Sequence, residues 1–268
     1  MNYNLICTDI DGTLLNADRY LSNATVNAFA KADIGTVLAS SRMPSAMHYL
    51  QEGLGIQNAP LIAYNGGLIL GKNGVCIESN TMPLQVLEVL LPHHAKHTYN
   101  LSIYADDDWY TDQDDFWSLR EINNTRVTPT YQPALNSLET LNTTRRAPQK
   151  LMCMGEATEI DSIVTHLSGV YNDEVHLYRS KDTYLEITPK YIDKAKALRI
   201  LLKHQFDFGM DKVIAFGDNH NDEELIKHAG LGVAVANATE QLKAIANYTS
   251  AFTNKEDAVA MAIEKFVI

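Results

Sequence analysis

The chain opens on an apolar run, Tyr3 to Ile10, that ends in acidic residues and Gly12, the pattern of a buried strand running into a loop. Ser22 then caps a stretch from Asn23 to Ala32 in which Val26, Phe29 and Ala30 recur at helical spacing, and Gly35 stops it ahead of a second apolar run, Thr36 to Ala39. The order strand, helix, strand continues. Ser45 to Gly53 has a helical pattern and Leu61 to Tyr64 a strand pattern, while Leu68 to Leu70 and Val75 to Ile77 form a hairpin around Gly71-Lys72-Asn73-Gly74. Such alternation predicts an α/β fold, a mainly parallel sheet covered by helices.

The same pattern returns near the end of the chain. Lys194 to His204 is predicted helical, Lys212 to Gly217 a strand, Asp222 to Ala229 a helix and Leu231 to Val235 a strand, with two more helices at Ala238 to Ala246 and Ala258 to Phe266. Between these halves the alternation breaks. Helical signals at Leu84 to His97 and Glu159 to Gly169 are separated by strand-like runs at Leu101 to Ala105, Trp109 to Thr111 and Leu151 to Gly155, and two more runs follow at His176 to Arg179 and Tyr184 to Ile187. Residues 82–185 are therefore expected to form an inserted α+β domain, with 1–81 and 186–268 as the core and Pro83 and Pro189 as flanking linker residues.

With 268 residues, 46% hydrophobic and 21% charged, the composition is that of a globular protein and excludes fibrous and disordered classes. A formal net charge of -11 repels polyphosphate, and the longest basic doublet is Arg145-Arg146, so no nucleic-acid partner is expected. Cys7, Cys76 and Cys153 are far apart, odd in number and set in apolar stretches, which reads as buried free thiols in a reducing compartment. No basic leader precedes a long apolar run, and no segment approaches the roughly 18 to 20 apolar residues of a spanning helix. The expectation is a cytoplasmic protein with no membrane partner. The P-loop, dinucleotide and serine-hydrolase motifs are all missing.

Asp9-Ile10-Asp11-Gly12-Thr13 stands at the end of the first strand, where residues two apart project to the same side. Strand carboxyl ends are where open α/β sheets bind ligands. A calcium loop beginning at Asp9 fails, because its glycine would fall on Leu14 and its bidentate glutamate on Tyr20. A second acidic cluster, Gly217-Asp218-Asn219-His220-Asn221-Asp222, follows another apolar run and precedes a helix, so the two clusters can meet. Carboxylates converging in one crevice repel each other unless a divalent cation neutralises them, and hard oxygen ligands suit Mg2+. Ser40-Ser41-Arg42 adds hydroxyl and backbone N–H groups at a strand end, and Lys194 adds a cation near a helix start.

Taken in this order, the four pieces resemble the haloacid dehalogenase superfamily, in particular its Cof-like phosphatase branch, whose Rossmann-like core carries an inserted α/β cap. Asp9 to Thr13 matches the first motif, Ser40 the second, Lys194 the third, and Gly217-Asp218 with Asn221-Asp222 the fourth. Ala63-Tyr64-Asn65-Gly66-Gly67 and Val233 to Ala238 also look like segments of that branch. The chain departs from it at Ser41, Ala195 and Ala258, where glycine is usual.

The resemblance implies a phosphatase in which Asp9 is the nucleophile and Asp11 the acid and base. It implies that Mg2+ is held by Asp9, the Asp11 backbone carbonyl and Asp218, with Asp222 orienting the metal shell. Ile10, Ser40, Ser41, Lys194 and Asn221 would hold the phosphoryl oxygens, and Arg42, Asn65 and Gly66 are candidate substrate contacts. The expected substrate is a small phosphorylated metabolite, sugar phosphates being the first class, with the inserted domain as a lid. A phosphomutase of the same superfamily and a phospho-acceptor regulatory protein are the alternatives. Within the inserted region Asp106-Asp107-Asp108, Trp109, Tyr110, Arg120 and Arg179 read as turn, core or solvated face. His93, His94 and His97 can set two imidazoles on one helical face, without the acid of a His-Glu-x-x-His frame.

Overall fold

A computed structural model describes residues 3–169, 171 and 173–268. The chain divides into two compact units, Met1–Glu78 with Asp193–Ile268, and Ser79–Ile192. The division falls outside the limits 82 and 185 expected from sequence. Strand Tyr184–Pro189 pairs along Lys150–Met154 and Val175–Lys181, and a boundary after 185 would cut it.

The first unit is built on an eight-stranded sheet whose spatial order is Tyr248–Thr249, Leu231–Ala234, Val213–Gly217, Leu5–Thr8, Gly35–Ala39, Leu61–Ala63, Leu68–Leu70 and Cys76–Ser79. The first six strands run parallel, and Leu68–Leu70 turns back antiparallel on Leu61–Ala63. Leu5, Ile6 and Cys7 are fully buried, as the unbroken apolar run of a central parallel strand requires. Helix Asn23–Ala32 begins where Ser22 Oγ accepts from the Thr25 N–H at 3.0 Å, and it packs on helix Ala258–Phe266. Helix Lys194–Gln205 packs on Glu223–His228 and reaches strands Leu61–Ala63 and Leu68–Leu70.

Register fixes what the strand ends bring together. Thr8 lies beside Phe216 on one neighbour and beside Leu38 on the other. Asp9 therefore leaves its strand level with Gly217 and Ala39, one residue short of Asp218 and Ser40.

The second unit has a six-stranded sheet in the order Val175–Lys181, Tyr184–Pro189, Lys150–Met154, Asn100–Ala105, Asp108–Thr111 and Thr130–Tyr131, antiparallel except at the last pair. Alternate residues Leu101, Ile103, Leu151, Cys153, Leu185 and Ile187 join Val86, Leu90, Ile160 and Ile163 of helices Leu84–His94 and Ala157–Leu167 in one core. Two helices unforeseen in the sequence, Phe116–Thr125 and Ala134–Thr144, complete the unit.

Cys7 and Cys153 are buried, but Cys76 is exposed because Cys76–Ser79 is an edge strand of the first sheet. Among the described residues no helix is long and apolar enough to cross a membrane.

Candidate active site

All the charged groups singled out at the strand ends lie in the first unit. Asp9 leaves strand Leu5–Thr8 with its N–H donating to the Phe216 carbonyl at 3.1 Å, which ties it to the strand that delivers Asp218. The chain then makes a wide turn, Ile10–Leu14, closed by the Leu15 N–H on the Ile10 carbonyl at 3.0 Å. Gly12 sits in this turn at φ +86°, and a Cβ there would lie 2.4 Å from Asp218 Oδ2. Only glycine allows both the left-handed backbone and the approach of Asp218. Thr13 Oγ1 donates to Asp218 Oδ1 at 3.0 Å, and Asn237 Nδ2 donates to the Gly12 carbonyl at 2.8 Å, pinning the turn from two sides.

Lys194 is the first residue of its helix, where its charge opposes the helix dipole. Its Nζ donates to Asp9 Oδ1 at 2.6 Å and to Asp222 Oδ1 at 2.7 Å, with the lysine and Asp222 fully buried and Asp9 nearly so. The other oxygen of Asp222 accepts from the backbone N–H groups of Asp218 at 3.0 Å and Asn219 at 3.2 Å. Asp222 is thus engaged on both oxygens, holding the lysine with one and its own loop with the other.

Oxygens of Asp9, Asp218 and Asp222 lie within 4.8 Å of one another. This set of hard donors fits a divalent cation such as Mg2+. Burial raises the Asp9 carboxyl well above its usual range, aided by the charges of Asp222 and Asp218 and opposed by Lys194. Burial, reinforced by Asp222, pushes Asp218 up to about 6. Burial works against the Lys194 charge, but Asp222 and Asp9 outweigh it and hold the ammonium above its ordinary range. Carboxylates driven toward protonation by burial and by each other's charge are what a bound cation would relieve.

The Asp11 side chain is not part of this trio. Arg42 donates Nε to its Oδ2 at 2.7 Å and Nη2 to its Oδ1 at 2.8 Å, and Arg19 Nη2 donates to Oδ1 at 2.6 Å. Burial presses the Asp11 carboxyl upward, yet the Arg42 hydrogen bonds and charge, with Arg19 adding to them, hold it below the usual carboxylate range. Arg42 Nη1 is taken by the Ala46 carbonyl at 3.2 Å and Tyr49 Oη at 3.1 Å. The guanidinium, read from sequence as a substrate contact, is engaged by Asp11 and by Ala46 and Tyr49 of the following helix, Ser45–Gly53.

Ser40 is buried at the end of its strand, its Oγ accepting from the Arg42 N–H at 3.3 Å and its carbonyl from the Asn65 N–H at 2.8 Å; Ser41 is half-buried beside it. Tyr64, Asn65 and Gly66 all have positive φ, and Asn65 Oδ1 accepts from Asn221 Nδ2 at 3.1 Å. Ile10 is fully buried at the head of the wide turn. Sequence reasoning gave no role to Thr13, Arg19, Tyr49 or Asn237. Thr13 and Asn237 lay inside quoted motifs, whereas nothing in the sequence marked Arg19 or Tyr49.

The sequence pattern of the haloacid dehalogenase-like hydrolases matches residues 6–263, so the chain belongs to that family. It is a phosphatase of the family. A protein named as a phosphatase in Haemophilus influenzae is 31% identical over 99% of this chain and 98% of its own length. An HMP-PP phosphatase of Yersinia enterocolitica is 30% identical over 90% of this chain and 86% of its own. A haloacid dehalogenase-like hydrolase from Bacteroides thetaiotaomicron has the same fold, with a TM-score of 0.89 and 28% identity over 98% of this chain and 99% of that one.

Proposed function

We propose that the protein is a Mg2+-dependent phosphatase of small phosphorylated metabolites, sugar phosphates foremost, acting through a phosphoryl group carried on Asp9. The observation that carries this reading is the Lys194 ammonium set between Asp9 and Asp222, 2.6 and 2.7 Å away, beside a third carboxylate from another strand end. Such a site would fix a carboxylate nucleophile and, with a bound cation beside Lys194, would set positive charge against the arriving phosphoryl group.

Asp9 and Asp218, with Asp222 behind them, would hold the cation, which when bound offsets the charge of the phosphate dianion. Asp11, held ionised by Arg42 and Arg19 in the resting protein, first takes up a proton from solvent as the substrate enters; an Asp9 oxygen then attacks phosphorus as the ester P–O bond breaks, and the departing alkoxide takes that proton. Asp11, now ionised, takes a proton from water as the water oxygen attacks phosphorus. The bond to Asp9 then breaks and inorganic phosphate leaves. Lys194, Ser40, Ser41 and Asn221, with the Ile10 backbone, are assigned to the phosphoryl oxygens. Asn65 and Gly66 are assigned to the substrate. We assign catalysis to the unit Met1–Glu78 with Asp193–Ile268 and substrate selection to Ser79–Ile192.

The test is release of inorganic phosphate from a panel of sugar, nucleotide and cofactor phosphates with HMP-PP beside them, with and without Mg2+, for the wild type and Asp9→Asn. Mg2+-dependent release that disappears in the variant is expected. Equal release by Asp9→Asn would overturn the assignment of Asp9.

A further inference from the structure

The turn after strand Leu61–Ala63 carries three successive residues with positive φ, Tyr64 at +53°, Asn65 at +55° and Gly66 at +112°. Glycine enters that region freely and asparagine at little cost, whereas the buried Tyr64 is strained there and the surrounding structure has to hold it. Strain of this kind persists where a neighbouring site depends on the position it imposes.

What the turn imposes is a link between two loops. The Asn65 N–H donates to the Ser40 carbonyl at 2.8 Å and the Ser40 N–H donates to the Ile62 carbonyl at 2.9 Å, so both backbone groups of Ser40 are taken by one chain segment. The Tyr64 N–H donates to the Arg42 carbonyl at 3.1 Å and extends the same seam. On its other side the Asn65 side chain reaches Asn221, 156 residues away, where its Oδ1 accepts from Nδ2 at 3.1 Å. Helix Lys194–Gln205 packs on the same turn. One asparagine thus joins the loops that follow strands Gly35–Ala39 and Val213–Gly217, the first through its backbone and the second through its side chain. Asn221 can donate to a phosphoryl oxygen only through Nδ2, because its Oδ1 is an acceptor and would repel it. The amide nitrogen carries two hydrogens. With one given to Asn65 Oδ1, the nitrogen end is held in place and the second hydrogen is left for the phosphoryl group.

We propose that Asn65 is a positioning residue for phosphate binding, which turns Asn221 so that Nδ2 is its donor and holds Ser40 through the backbone. Asn65 serves the substrate through these two residues. The proposal rests on the assignment of Ser40 and Asn221 to the phosphoryl oxygens, and the left-handed turn is what lets one residue reach both.

Asn65→Gly isolates the side chain, since glycine is at ease at φ +55° and keeps the N–H on Ser40. Binding of inorganic phosphate in the presence of Mg2+ is measured by calorimetry on the full-length wild type, Asn65→Gly, Asn221→Ala and the double variant, with Mg2+ affinity and thermal unfolding beside it. Asn65→Gly is expected to weaken phosphate by about fivefold, the worth of one hydrogen bond. Asn221→Ala is expected to weaken it at least as much, and the double variant no further than Asn221→Ala alone, because one side chain acts through the other. Mg2+ affinity should stay at the wild-type value in Asn65→Gly, which a turn merely loosened would not allow. Unchanged phosphate affinity in Asn65→Gly, single losses that multiply in the double variant, or an equal loss of Mg2+ affinity would each overturn the proposal. A wild type that binds no phosphate would instead overturn the phosphatase reading, and the proposal with it. If Asn65→Gly does not fold, the same cycle is run with Asn65→Ala and read in the same way.

Discussion

Arg42 grips Asp11 with two nitrogens, Nε on one carboxylate oxygen at 2.7 Å and Nη2 on the other at 2.8 Å. A planar fork of this kind fixes direction as well as charge, and a lysine cannot reproduce it. On the proposed mechanism Arg42 is a positioning residue that aims Asp11, and its hydrogen bonds and charge hold that carboxyl below the usual carboxylate range. Replacing it with methionine raises the Asp11 pKa, so the limb of the kcat/KM profile governed by Asp11 moves to higher pH. Arg42→Lys gives only partial return. A profile unchanged in Arg42→Met would show that the pair is structural.

Lys194→Met leaves two buried carboxylates facing each other without their shared cation. Breaking a buried pair from one side typically costs about 3–5 kcal/mol. A loss of that size is expected in urea unfolding without metal, with turnover falling by at least a hundredfold. A variant as stable as the wild type would mean that Asp9 is protonated in the resting protein.

If Asp9 and Asp218 hold the cation as proposed, its binding is coupled to pH through them. The folded pKa of Asp218, about 6, lies above its ordinary value of 3.8, so its neutral form is the one that folding favours. For the metal-free protein that contribution is fully present below the ordinary value and is lost as pH rises through about 6. Mg2+ should reverse this loss. Its effect on the melting temperature is expected to be larger at pH 7.5 than at pH 5, and its affinity to weaken about tenfold per pH unit below 6 for each carboxylate that protonates. Cation affinity that ignores pH across this range would contradict the three-carboxylate site.

Gly12→Ala is expected to damage the site more than the fold. The new methyl would meet Asp218 Oδ2 at 2.4 Å from a backbone at φ +86°. The backbone strain is about 1–2 kcal/mol, while the displaced Asp218 weakens Mg2+ binding at least tenfold. Isothermal titration with Mg2+ beside thermal unfolding separates the two effects, and unchanged Mg2+ affinity would count against Asp218 as a ligand.

The strand-end carboxylates were legible because chemistry and topology repeat one signal. An apolar run followed by Asp marks a buried strand and its carboxyl end together, which linked Asp9 to Asp218 across the chain. Lys194 was legible by its motif position, although its charge opposes the helix it begins. The inserted unit was read less fully. Helix Phe116–Thr125 exposes Phe116 and Leu119 and buries Ser118 and Thr125, the reverse of an amphipathic pattern, and its capping box at Asp115 and Ser118 was the one usable sign. Arg19 gave no signal. It is an exposed loop residue whose meaning comes only from the carboxylate it meets.

The most direct test of the account is to find where the phosphoryl group goes. Wild type, Asp11→Asn and Asp9→Asn are mixed with a turned-over substrate and Mg2+, quenched in acid and mapped by peptide mass spectrometry. The account predicts one phosphoryl group on the peptide containing Asp9, accumulating in Asp11→Asn where its hydrolysis is slowed and absent from Asp9→Asn. Turnover with no protein-bound phosphoryl group, or with that group on another residue, would contradict it.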